Sequence, residues 1–399
     1  MQIAKWLVLT GLVCSWSGSF VRADQPLAPP PAGEKAQVAA ILAGKEVPAA
    51  KSQFVAAVRH VAELGGTLDF DEAGRLAGVD LAGDRVSVSD ADIPGLLALP
   101  HLKQLKLSGA AVTNAGIRQV AAIAGLAELS LLDAQIDDAG VKQLAQLKNL
   151  SSLSIRRSSQ VTDHGLGCLR QLPKLTKLGL LEVGITNRGL EELADLKKLR
   201  MLDLRGSAQV GNPGLERLQT LKQLQALRVG GSQIDDGTLA LLAKLNLPSL
   251  NSLTIEEAGV TDAGLARIAA LPLEEIAISR CYSVTDDGFR HFAHMRALRQ
   301  LSVRGIPLTG AGLAHLSGKD KLAVLRLNET GINDAALTHL RGLKNLGRLE
   351  LRQTQITDAA VDLLGSLKRL KSLDVGQTEI TEAGAKRLAT LLPRCKIVR

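Results

Sequence analysis

Seven arginines, Arg156, Arg205, Arg228, Arg304, Arg326, Arg348 and Arg352, each stand one or two residues beyond an apolar residue of a short recurring pattern. A guanidinium presents a planar fork of donors that fits a carboxylate or phosphate through two bonds at once. If the pattern gathers these side chains on one surface, that surface suits an acidic ligand. Glu128, Asp203, Glu256, Glu350 and Asp374 share the surface, so a mixed, solvated face is the plainer alternative. Other candidate chemistry is sparse. His291 and His294 lie three apart, ten or more residues beyond Cys281, and these are metal-ligand types. The histidines fall on an outer helix, however, and Cys281 in an interior turn, so neither a metal nor any other cofactor is expected. Cys168, in Gly165-Leu166-Gly167-Cys168-Leu169, reads as a small buried residue of an outer helix rather than a reactive thiol. Phosphate loops, nucleophile elbows, HExxH motifs and kinase signatures are absent, and no nucleophile, base and orienter cluster by spacing. The chain is therefore expected not to be an enzyme.

For the arginines to meet, the chain must repeat a fixed unit, and it does. From Leu76 a motif of apolar, two others, apolar, one other, apolar recurs at Leu102, Leu126, Leu150, Leu175, Leu199, Leu224, Leu250, Leu273, Leu298, Leu322, Leu346 and Leu370, at intervals of 23 to 26 residues. That makes about thirteen repeats over 76–390. Each opens with a period-two run such as Leu102-Lys103-Gln104-Leu105-Lys106-Leu107, a half-buried strand with Leu105 and Leu107 inward. A turn and a helix follow, as in Val260-Thr261-Asp262-Ala263-Gly264-Leu265, where Thr261 or Asp262 is placed to cap the helix. One unit cannot bury its apolar side alone; stacked units can. Strands stack about 4.8 Å apart and helices need about 8–10 Å, so the stack must arch, strands inside. Thirteen strands give an inner sheet of about 60 Å. The 38 glycines recur largely before the helices, which is turn chemistry.

Composition agrees. Hydrophobic residues make up 46% and aromatics only 2%, suiting a core of thin Leu-lined layers. Residues 1–23 read as a signal peptide: Lys5, an apolar WLVLTGLVC run too short for an ordinary span, then Val21-Arg22-Ala23 before Asp24. An uncleaved N-terminal anchor is the alternative. A Pro-rich tether (24–34), a helical cap (35–75) in which Ser52 is placed to cap a helix and Gly65-Gly66 to stop it, and a C-terminal cap with a last short strand (391–399) complete the organisation. The net charge of +8, or +6 without Lys5 and Arg22, reads as a modest excess spread over a long surface. It favours acidic partners slightly and lacks the dense basic stripe of a dedicated nucleic-acid binder. Three cysteines beyond the leader do not make a disulfide framework.

Residues from about 76 to 399, most clearly VTDAGLARIAALPLEEIAIS (260–279) and ITDAAVDLLGSLKRLKSLDV (356–375), resemble the ribonuclease-inhibitor-like and cysteine-containing leucine-rich repeats, notably bacterial proteins with repeating ITDAGL units. The resemblance implies an α/β horseshoe with parallel strands on the concave face, helices on the convex face, and a role in protein recognition. Such families often place Asn or Cys where strand turns into loop. Here Ala134, Ser158, Ser207, Ser232, Ala258, Thr330, Thr354 and Thr378 stand there, with Cys281 the one family-type cysteine. The Ser and Thr hydroxyls are expected to bond the backbone in part instead, the Ala positions requiring water or a tighter turn. The function expected is an extracytoplasmic, non-catalytic scaffold holding a protein, with acidic ones slightly favoured, or an anionic polymer on the concave face, with no specific nucleic acid and no membrane span beyond the leader. The alternative is an intracellular substrate adaptor similar to the repeat arms of F-box proteins.

Overall fold

The computed structural model describes residues 33–47 and 51–399; the leader and nearly all of the tether fall outside them. Two helices, α1 (Glu34–Leu42) and α2 (Ser52–Glu63), open the described chain, and α2 buries Phe54, Ala57, Val58 and Val61. Ser52 is not the cap: Lys51 holds that position without a side-chain bond, and Ser52 is the first helical residue. Gly65, with φ +79°, lets the chain leave α2. The region up to 75 is not wholly helical. Thr67–Phe70 alternates apolar and polar residues and forms strand β1, antiparallel to β2 (Leu76–Leu81). Asp71 closes their turn by accepting from the N–H groups of Ala73 and Arg75. This hairpin occupies the edge that the first repeat would otherwise leave open to stray pairing.

From β1 to the last strand, Lys396–Val398, the sheet runs in strict chain order, fifteen strands in all. Every pairing after the first is parallel, and the register never slips: Leu105 faces Leu129, which faces Leu153, which faces Leu178. An in-register parallel ladder stacks like positions into columns. The inward columns merge into one continuous core of Leu, Ile and Val. Short α or 3-10 segments such as Asp262–Ile268 and Ala336–Gly342 form the opposite layer. The architecture is a leucine-rich-repeat solenoid, strands on the concave face and helices on the convex face.

Two further rows tie the repeats together through bonds that local spacing does not reveal. Just beyond each of the twelve strands from Gln104–Ser108 to Ser372–Asp374 stands a residue with left-handed backbone: Asp133, Arg157, Glu182, Glu257, Arg280, Glu329, Gln353 and Gln377 at φ 51–58°, with glycine at 109, 206, 231 and 305. A non-glycine residue there costs roughly 1–2 kcal/mol. The turn recovers a backbone bond, since the N–H of Asp133 donates to Arg156 O and that of Arg157 to Leu181 O in the next repeat. The ladder thus runs one residue past the strand before the chain swings towards its helix.

The second row lies at the helix starts. Thr261 accepts from Ala263 N–H as the helix cap, while its own hydroxyl and N–H donate to Asp236 of the preceding repeat at 2.6 and 2.8 Å. Asp262 takes the same two bonds from Thr285, and the pair recurs from Asp90–Thr113 to Asp358–Thr381. Thr and Asp therefore do not compete to cap one helix; they join successive repeats. Gly264 packs against Asp236 so closely that a side chain there would overlap the carboxylate. At one break in the row the sizes are exchanged. Gly310, at φ +97°, replaces the aspartate, and Ala336 of the next repeat fills the space a glycine leaves elsewhere.

Candidate binding surface

The outward positions of the strands form columns on the concave face. Arg348 lies in the first, Arg228 and Arg326 in the second, and Arg156 and Arg304 in the third. Arg205 and Arg352 stand two residues past the ends of their short strands. The seven therefore share one face but not one row. They meet the chain's own carboxylates. Arg205 pairs with Asp203 at 2.8 Å and reaches Glu256 at 2.7 Å, passing side-chain-free Gly230, while Arg228 approaches the same Asp203 at 3.5 Å. Arg326 and Arg348 converge on Glu350 at 3.1 and 2.7 Å. Arg156 pairs with Glu182 and Arg304 with Glu329, both acids being left-handed turn residues on the rim. Arg352 has no carboxylate within 4 Å among the described residues.

Burial decides how firmly these pairs hold. Asp203 is only 5% exposed and Glu350 13%. Burial by itself raises the pKa of Glu350, but the Asn328 amide and the charges of Arg326 and Arg348 outweigh it and hold the carboxyl below its ordinary range. Burial likewise disfavours charge on Arg205, yet Asp203 and Glu256 push its pKa above the usual value. The bond to Glu329 does the same for Arg304. The concave face is thus a lattice of compensated charge, with Arg280 bridging Glu256 and Glu257 at its rim. Sequence spacing located the arginines; it did not reveal that Glu182, Glu329 and Arg280 join them, because turn residues at the rim follow no period-two pattern.

At the strand-to-loop position the hydroxyls bond backbone carbonyls, in the preceding repeat for Ser158 and three residues back for the threonines. Ser158 Oγ donates to Ala134 O at 2.8 Å, and Thr330, Thr354 and Thr378 donate to Leu327, Leu351 and Val375 O at 2.6–2.8 Å. Cys281 is fully buried, and burial raises its thiol pKa. Cys168 is half-buried, its thiol donating to Gly165 O at 3.1 Å. No group of three His, Cys, Asp or Glu close enough to hold a metal exists among the described residues.

The positive charge is not evenly spread. The thirteen connections from helix to following strand carry sixteen Lys and Arg against three Asp and Glu; the thirteen from strand to helix carry six against nine. Strict register stacks all connections of one kind along one side, so a bias of one or two residues per repeat accumulates into a charged edge.

No family model matches the chain, and no curated protein matches it. Among solved structures it is similar to an internalin (inlF) from Listeria monocytogenes, at 21% identity and TM-score 0.47 over 79% of this chain and 90% of that one. It is similar to the protein of the TLR13–ssRNA13 complex, at 21% and 0.46 over 71% and 44%. A third is the plant peptide hormone receptor RGFR1 in complex with RGF2, at 16% and 0.35 over 72% and 46%. The chain spans less than half the length of the last two. The architecture rests on the sheet and its register, not on these likenesses.

Proposed function

We propose that the chain is an exported, non-catalytic scaffold that holds a protein partner on its concave face. The observation that carries this reading is the unbroken register of the sheet, which aligns the outward columns, most of their residues partly exposed, along the whole solenoid. The binding residues proposed are Arg156, Arg205, Arg228, Arg304, Arg326, Arg348 and Arg352. Because most of them already touch carboxylates of this chain, the partner that fits presents charges of both signs and exchanges with these pairs, its acidic groups going first to Arg352. Such exchange favours register and specificity over raw affinity. The ribonuclease-inhibitor-like, cysteine-containing subtype is proposed on the motifs at 260–279 and 356–375. Export rests on residues 1–23, and an extracytoplasmic location follows from it. No helix among the described residues is long and apolar enough to cross a membrane.

The test is a comparative pull-down from the native host, with captured proteins identified by mass spectrometry. The chain carrying Arg304→Glu, Arg326→Glu and Arg348→Glu is expected to lose a partner that the unaltered chain retains. Retention of every partner by both would remove the concave face from the mechanism.

A further inference from the structure

The structure assigns a second binding surface, on a different face: we propose that the lateral edge built from the helix-to-strand connections binds a flexible, linear, phosphate-bearing polyanion. Eleven Lys and five Arg lie on this edge, all but Lys319 of them in the exposed class. They differ from the concave arginines in one decisive respect. Among the described residues only Arg299 pairs with a carboxylate, Glu274, at 3.2 Å; the other fifteen have none within 4 Å.

Helix capping explains where these cations sit but not how many there are. The amines of Lys148 and Lys368 donate to Ala145 and Leu391 O, and Lys198 to Pro173 O, all carbonyls at or beyond helix ends. Each helix end contributes at most about −0.5 charge, so thirteen short helices offer roughly −6.5. The edge carries a net +13, which leaves about half of its charge uncompensated. The carbonyl contacts also hold the lysines in a row, so part of their ordering cost is met before any ligand arrives.

The form of the ligand follows from the distribution. Lys148, Lys174, Lys198 and Lys222 occupy four successive repeats, and a second group runs from Arg296 to Lys371; the two connections between them, 245–251 and 269–274, hold no cation. Two stretches of cations in line, one per repeat or more, match a chain of regularly spaced anions. Hollows of about 300 Å³ beside Arg296, Lys319 and Lys321, and of about 510 Å³ beside Lys142, Lys148 and Arg170, offer seats for single anionic groups. No Phe, Tyr or Trp stands in these connections, so bases have no large stacking platform and a bilayer no aromatic anchor. Lysine-rich, unstacked contact is charge recognition without sequence readout.

Fluorescence anisotropy of the full chain tests this with three probes: labelled long-chain polyphosphate, labelled thirty-residue oligothymidylate, and vesicles of phosphatidylcholine with phosphatidylserine. Binding of a polymer probe is expected, and six phosphate contacts would weaken it by about 300-fold between 50 and 200 mM salt. The relative affinity of the two polymers identifies the source of the phosphates. Lys148→Glu, Lys174→Glu, Lys198→Glu and Lys222→Glu together should weaken it on the order of a hundredfold. The same four positions changed to Gln, a milder set that leaves the carbonyls unrepelled, should weaken it less. The Arg304, Arg326 and Arg348 to Glu variant should bind polymer as the unaltered chain does, which separates failure of this proposal from failure of the concave-face reading. Polymer binding untouched by both lysine sets, or vesicle binding without polymer binding, would overturn it.

Discussion

Asp286 is the most heavily used carboxylate of the row that joins the repeats, and its removal makes a sharp prediction. It accepts from Thr309 N–H and Oγ1 at 2.8 Å each, from Gly310 N–H at 3.0 Å and from Gly312 N–H at 2.9 Å. The two Thr309 donors are exposed, so water replaces the carboxylate there at about 0.5 kcal/mol each. The two glycine N–H groups are partly buried, and each left unsatisfied costs about 1 kcal/mol or more. Asp286→Ala should therefore destabilise the stretch around 286–312 by about 3 kcal/mol, whereas Asp262→Ala, which frees only the two exposed donors of Thr285, should cost about 1 kcal/mol. A solenoid can open locally without unfolding globally, so hydrogen exchange is the appropriate assay. Protection at Gly312 and its neighbours should fall by about a hundredfold in Asp286→Ala. Burial pushes the pKa of Asp286 up, but the N–H groups of Gly312 and Thr309 outweigh it and lower the carboxyl below its usual range. A lowered folded-state pKa contributes stability that is complete above the unfolded value of about 3.9 and fades as pH falls through the folded one. The two chains should thus differ undiminished from pH 7 to pH 5 and converge below pH 4. Equal effects of the Asp262 and Asp286 variants would refute this account of the row.

The exchanged sizes at the break in the row give a coupling. Gly310→Ala should cost about 2–3 kcal/mol, from the left-handed backbone and the overlap with Ala336; adding Ala336→Gly should restore about 1 kcal/mol, and strictly additive thermal shifts would exclude the packing explanation. On the concave face, Glu350→Ala should lower stability by about 1–2 kcal/mol by releasing Arg326, Arg348 and the Asn328 amide. Because the pKa of Glu350 is lowered, that difference, read from urea midpoints, should be full at pH 7 and shrink towards pH 3; a gap independent of pH would mean that packing, not charge, holds the site.

How much of this was legible beforehand depends on range. The spacing of Leu102, Leu126 and Leu150 determined the repeat, the strand columns and the core, because period-two burial and stacking depend only on local pattern and its recurrence. It also placed all seven arginines on one face. What they touch was another matter: Glu350 gathers Arg326 and Arg348 from its own and the adjacent repeat, and Arg205 crosses a whole repeat to Glu256 because Gly230 leaves the way open. The contacts of Arg326 and Arg205 span 24 and 51 residues of chain, and only the register of the folded sheet fixes them. The same holds for Thr261 and Asp236, whose types suggest nothing beyond a helix cap, and for Glu257 and Gln353, whose left-handed turns carry no glycine or asparagine to announce them. The net charge, too, is written in the chain as a single number; stacking alone turned it into an edge.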